Sequence, residues 1–153
     1  MSKIVNNLIG SIDIKTDINY HHHYSGIYRN GKKIYIGCNH LRNSYNNECI
    51  CYSTHAEMDV LHKVLKTCCL SPFKDDVDLS SYIIAVVRFG KDGNLRNSRP
   101  CNHCLNTMIK YRIKKIIYST DDGIMSEKPS SMEQCHVSSG WNAFKKFKIK
   151  LNN

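Results

Sequence analysis

Tyr82-Ile-Ile-Ala-Val-Val-Arg-Phe89 is the stretch on which the fold turns. Apolar side chains at successive positions, rather than alternate ones, mark a strand covered on both faces. Such a strand calls for helices on either side of its sheet. Helical patterns flank it in the chain. Before it, Ser53-Thr54 offers N-cap hydroxyls to a helix from about His55 to Cys69. Leu61, Val64, Leu65 and Cys68 form its apolar stripe, and Ser71-Pro72 ends it. After it, Lys91-Asp92-Gly93 reads as a turn. Pro100 then opens a second helix with Cys101, Cys104, Leu105, Met108 and Ile109 on one face. Ile116 to Ser119 is another buried strand, stopped by Asp121-Asp122-Gly123.

Further out, Tyr24 to Arg29 and Lys33 to Cys38 read as strands joined at Asn30-Gly31, a strong hairpin signal because both residues tolerate positive φ. Asn39 to Cys51 is polar and reads as a loop long enough to be functional. Met1 to Asp17 fits a helical face through Ile4, Leu8 and Ile12, and fits partial alternation as well. Ile124 to Lys128 can return as a hairpin strand. Trp141 to Lys146 suits a short helix, and Phe147, Ile149 and Leu151 suit an edge strand. The expected order is β-β-α-β-α-β with a less defined tail. The expected fold is α/β, a three-layer α-β-α sandwich around a mixed sheet of about five strands.

A chain of 153 residues, 41% hydrophobic, is most simply one domain (1–153, with its core at 24–120) and can bury a core without disulfide staples. The charge of +9 favours anionic partners, although a basic solvated surface explains it too. Eight cysteines without an N-terminal signal peptide suit a reducing intracellular, cytoplasmic setting, where Cys-x-x-Cys means metal or redox chemistry. No apolar stretch has the length to span a bilayer, so no membrane partner is expected.

Two motifs carry chemistry: His55-Ala56-Glu57 and Pro100-Cys101-Asn102-His103-Cys104. Cys101 and Cys104 are three apart, so both thiolates can face one metal. A helix start lets His55 and Glu57 reach the same site across its end. One His and two Cys leave a fourth tetrahedral position of zinc for water, whose pKa falls towards about 7. Glu57 is then placed to shuttle protons. A structural zinc site would close the fourth position and leave Glu57 unexplained. A redox Cys pair would leave the whole His-x-Glu unexplained.

His-x-Glu followed by Pro-Cys-x-x-Cys is the signature of zinc deaminases. With the strand end Tyr35-Ile36-Gly37-Cys38-Asn39, these motifs resemble the cytidine deaminase-like superfamily, including members from large DNA viruses. The order of elements agrees from about Ser25 to Ser119. The resemblance implies one zinc ion per chain on His55, Cys101 and Cys104, and Glu57 as acid and base. It also implies substrate contacts from Asn39 and from the backbone amides of Ala56 and Cys101. The implied reaction is hydrolytic deamination of a cytosine-type nucleoside or nucleotide (cytidine, deoxycytidine or dCMP) to the uracil product and ammonia. A homo-oligomer is implied by analogy. The chain departs from the deoxycytidylate branch at Met58-Asp59-Val60 and after Asn39. Rival readings are a tRNA or single-stranded polynucleotide deaminase, and a non-catalytic zinc-binding module on the same fold.

Other candidates are weaker. Cys49, Cys51 and His21-His22-His23 raise a second metal site, and Arg42, Arg96 and Arg99 flank the site mouth and suit phosphate. Tyr45, Tyr52 and Phe73 can stack on a base, and Lys145 to Lys150 can follow a phosphate backbone. His62 reads as a surface residue, His103 as pointing away from the Cys pair, and Cys135-His136 as lacking a partner.

Overall fold

A computed structural model describes residues 2–12, 22–40, 44–46, 49–51, 54–67, 77–134 and 137. Helix α1 (Lys3–Ile9) precedes strands β1 (His22–Arg29) and β2 (Lys32–Cys38). The β1–β2 turn has Asn30 at φ 50° and Gly31 at φ 75°, the positive values a two-residue hairpin requires. Short strands β3 (Ser44–Asn46) and β4 (Cys49–Cys51) follow, then helix α2 (Ala56–Thr67). The chain continues through β5 (Tyr82–Phe89), β6 (Leu95–Arg96), helix α3 (Asn102–Lys110), β7 (Lys115–Thr120), β8 (Gly123–Glu127) and a 3-10 turn at Pro129–Ser131.

Among the described residues the main sheet has six strands in the order β2-β1-β5-β7-β8, with β6 added beside β5. β5 and β7 run parallel; the other pairs are antiparallel. β5 is the central strand, and its alternation builds both layers of core. Tyr82, Ile84 and Val86 pack with Leu61, Val64 and Leu65 of α2 and with Leu105 and Met108 of α3. Ala85, Val87 and Phe89 pack with Val5 and Leu8 of α1. The sandwich expected from the apolar run at Tyr82–Phe89 is therefore present, with α2 and α3 on one face and α1 on the other.

Several readings need correction. Asn39 to Cys51 is not simply a loop: β3 and β4 pair there, and His40 forms a bridge with Thr54. Thr54 thus belongs to that bridge, and His55 directly precedes the first turn of α2, its carbonyl accepting from the Asp59 N–H at 3.0 Å. Cys101 is the N-cap of α3 rather than part of its face, and Ile109 is 40% exposed. α3 has only nine residues, and its buried stripe narrows to Cys104, Leu105 and Met108. The expected helix over Trp141–Lys146, the edge strand over Phe147–Leu151 and the Ser71-Pro72 stop lie outside the described residues.

α2 lies close against β2. A Cβ on Gly37 would come within 2.6 Å of Asp59 Oδ2 and 2.9 Å of Val60 Cγ1, so only glycine permits this approach. Lys63 reaches from α2 to the Ile36 carbonyl at 2.8 Å and to Asp59 at 2.8 Å, while Asp59 accepts from the Cys38 N–H at 3.3 Å. These contacts hold the start of α2 over the end of β2.

Candidate metal centre

The two motifs meet where the N-termini of α2 and α3 stand over the same end of the sheet. β2, β5 and β7 all run towards that end, since β2 and β5 are each antiparallel to β1 and β7 is parallel to β5. His55 stands directly before α2, next to the Thr54 bridge, and Cys101 directly before α3.

His55 Nδ1 lies 3.5 Å from Cys101 Sγ and 3.3 Å from Cys104 Sγ. All three donor atoms fall within 4.8 Å of one another. Zinc bonds of about 2.0–2.1 Å to nitrogen and 2.3 Å to sulfur, at tetrahedral angles, separate N and S by about 3.5 Å. The observed spacing and the soft donor set both fit a zinc ion. Cys101 and Cys104 are buried, and neither is in a disulfide. His103 lies outside the donor group.

The electrostatics match. The Cys101 thiol is lowered to about 3, first by its hydrogen bond with Cys104 and then by His55. His55 is raised to about 9, first by its hydrogen bond with Cys101, against the effect of burial. Both shifts favour the thiolate form of Cys101 and the charged form of His55. Glu57, in the first turn of α2, is only 4% exposed. Burial raises its pKa, while the nearby charge of His55 and a hydrogen bond with Cys104 oppose that rise. A buried carboxyl beside two thiols and an imidazole can exchange protons with a group held at the same point.

The surrounding residues are largely positional. The Ser25 hydroxyl of β1 donates to the Ala56 carbonyl at 2.5 Å. Asn39 Oδ1 accepts from the His23 N–H at 2.9 Å, and the Asn39 N–H donates to the His23 carbonyl at 3.0 Å. Asn39 therefore clasps the β1–β2 edge with its carbonyl oxygen and its backbone N–H.

Sequence reading missed the buried serines behind Cys101. Ser98 Oγ donates to the Val86 carbonyl at 3.0 Å and lies 2.9 Å from Ser119 Oγ, which itself donates to the Arg96 carbonyl at 2.6 Å. A buried serine at a strand end is a faint signal that only pairing makes legible.

Arg99 is engaged within its own chain. Its guanidinium donates to Tyr118 Oη at 3.1 Å and to the Glu133 carbonyl at 3.0 Å, lies 3.5 Å from Glu127, and sits 5.9 Å over the Tyr118 ring. Tyr118 also donates to Glu127. Arg96 pairs with Asp92 at 2.5 Å. His62 is half-buried rather than a plain surface residue, and burial lowers its pKa. Arg42, Tyr52, Phe73, His21, Cys68, Cys69, Cys135, His136 and Lys145–Lys150 lie outside the described residues, as do the side chains of His22, Tyr45, Cys49 and Cys51.

Residues 25–120 match the family model for the cytidine and deoxycytidylate deaminase zinc-binding region. Among solved structures, a cytidine deaminase from Burkholderia pseudomallei is similar, with a TM-score of 0.50 and 18% identity, over 72% of this chain and 76% of that one. That likeness shows the fold. No curated protein matches the chain. No helix among the described residues is long and apolar enough to cross a membrane.

Proposed function

Because the chain belongs to the cytidine and deoxycytidylate deaminase zinc-binding family, we propose that it is a zinc-dependent hydrolase that removes the amino group of a cytosine-type nucleoside or nucleotide. The observation that carries this reading is the meeting of the His55, Cys101 and Cys104 donor atoms beside the buried Glu57 carboxyl.

In this reading His55, Cys101 and Cys104 hold one zinc ion, which when bound supplies a Lewis acid that makes water nucleophilic near neutral pH. Glu57 accepts the proton of the attacking water. It passes that proton to the ring nitrogen beside C4, then takes the second proton of the added oxygen and delivers it to the amino nitrogen, which leaves as ammonia as the C4 carbonyl forms. The Ala56 N–H belongs to the first turn of α2, where backbone donors have no helical acceptor. It, the Cys101 amide and Asn39 are the groups proposed to orient the substrate. A purely structural zinc site would gain nothing from burying Glu57, since that burial costs free energy without a compensating bond to metal.

The test is a substrate panel with the metal-loaded chain: free cytosine, cytidine, deoxycytidine, their phosphates, adenine and guanine nucleosides, and short single strands. Mass spectrometry reads the gain of about one dalton on replacing amine by oxygen. A product from cytosine nucleosides or nucleotides that is lost in Glu57→Gln supports the reading. Products from adenine or guanine alone, or from single strands alone, would overturn the substrate assignment.

A further inference from the structure

The parallel register of β5 and β7 runs from Ile83 with Lys115 to Val86 with Tyr118. Next to its last pair, the segment that leads to Cys101 is joined to both strands by two hydroxyls. Ser98 Oγ accepts from the Ser119 N–H at 2.9 Å and donates to the Val86 carbonyl at 3.0 Å. Ser119 Oγ accepts from the Arg88 N–H at 3.2 Å and donates to the Arg96 carbonyl at 2.6 Å. The Ser98 N–H adds a bond to the Ser119 carbonyl at 2.8 Å. Ser98 is 2% exposed and Ser119 0%. Loss of either hydroxyl therefore leaves buried backbone groups without a partner that water can replace.

Both halves of the donor set refer to one residue of the central strand. Val86 pairs with Ser25 on one side and with Tyr118 on the other. The Ser25 hydroxyl grips the Ala56 carbonyl, next to His55. The Ser98 hydroxyl grips the carbonyl of Val86 itself. His55 and Cys101 are thus both set from the same level of β5.

The lead from Ser98 to Cys101 is short and stiff. Three residues span at most about 11 Å even when fully extended. Pro100 has a fixed φ and restricts the residue before it. That residue, Arg99, is held by Tyr118 Oη and by the Glu133 carbonyl. Little slack remains to absorb a shift of Ser98. Cys101 in turn caps α3, its carbonyl accepting from the Leu105 N–H at 2.9 Å, so Cys104 moves with it.

We propose that Ser98 and Ser119 are positioning residues of the metal centre, holding Cys101 and Cys104 at binding distance from His55; this rests on the metal-binding part of the deaminase reading above. Neither serine belongs to the donor group. They act through the backbone that carries Cys101.

The experiment compares Ser98→Ala, Ser119→Ala and the double variant in the full chain. Tyr28→Phe is the control, since it removes a buried hydroxyl from the α1 side of the sheet. Zinc affinity is measured by competition with a chromophoric chelator, cobalt loading by visible absorption, and stability by urea unfolding. Each serine variant should still take up one zinc at saturation, with affinity reduced about tenfold. The cobalt bands should shift or weaken. The double variant should lose less than the product of the two single losses, because the hydroxyls share one network. The control should keep the parent's zinc affinity and cobalt spectrum. Ser119→Ala reports even where Ser98→Ala fails to fold, because Ser98 then keeps its bond to Val86. Serine variants that lose stability but retain the parent's zinc affinity and cobalt spectrum would overturn the proposal. A parent chain that takes up neither zinc nor cobalt would overturn it together with the metal reading. Zinc binding weakened in the serine variants, in a chain that deaminates no substrate, would support the positioning role while refuting the deaminase reading alone.

Discussion

The hydroxyl of Ser25, fully buried on β1, donates a 2.5 Å hydrogen bond to the backbone carbonyl of Ala56, the first residue of α2. The sheet thereby grips α2 at the residue between His55 and Glu57. Ser25→Ala leaves this carbonyl with one partner fewer and is expected to cost about 1–3 kcal/mol. Urea unfolding reads that loss. Metal content should persist while kcat falls, because the donors remain and only their placement loosens.

Glu57→Gln keeps the shape of the side chain and removes its capacity to take a proton. The expected outcome is unchanged metal stoichiometry with turnover reduced by a factor of about 10² or more. Metal analysis and steady-state kinetics on the same preparation check it. Parent-like turnover would refute the proton-shuttle role.

Cys104→Ser removes one of the two thiols nearest His55 Nδ1. It should abolish stable zinc retention through gel filtration and eliminate the thiolate charge-transfer absorption of the cobalt-loaded protein. Cys38→Ser is the matched control, since Cys38 is exposed and lies outside the donor group. Loss of the same absorption in the control would contradict the assigned ligands.

Tyr28 gives a pH signature remote from the metal site. It is buried between β1 and α1, where its hydroxyl donates to the Ile4 carbonyl at 3.3 Å, and burial pushes its pKa from 10.0 up to about 12. The folded state thus favours the protonated phenol. Its contribution is fully present below pH 10 and is lost as the pH rises towards 12. Unfolding midpoints measured across that window should fall in the parent, and fall less in Tyr28→Phe.

Local patterns revealed the parts of this fold that local physics decides. The apolar run at Tyr82–Phe89, the Asn30-Gly31 turn and the strand at Ile116–Ser119 each carry their signal within a few residues. The two motifs likewise named His55, Cys101 and Cys104, whose donor atoms the fold brings together. What stayed hidden depends on partners far along the chain. β6 has two residues, too few for any period, and exists because Arg88 and Phe89 of β5 offer it pairing. β3 and β4 have three residues each, too few to show a period, and each is defined by its pairing with the other. Arg99 looked like a loop cation because Glu127 and Tyr118, its partners, lie on strands 28 and 19 positions later.

Order of synthesis follows from where the donors sit. His55 precedes Cys101 by 46 positions and Cys104 by 49. At about 5–20 residues per second, a growing chain carries the histidine and Glu57 for roughly 2–10 seconds before either thiol exists. In the folded chain β5 lies against β1, between the donors that precede it and those that follow it in sequence. The proposed metal site is therefore complete only late in synthesis, and a metal bound there would close a clasp between two helices that the ribosome delivers well apart in time.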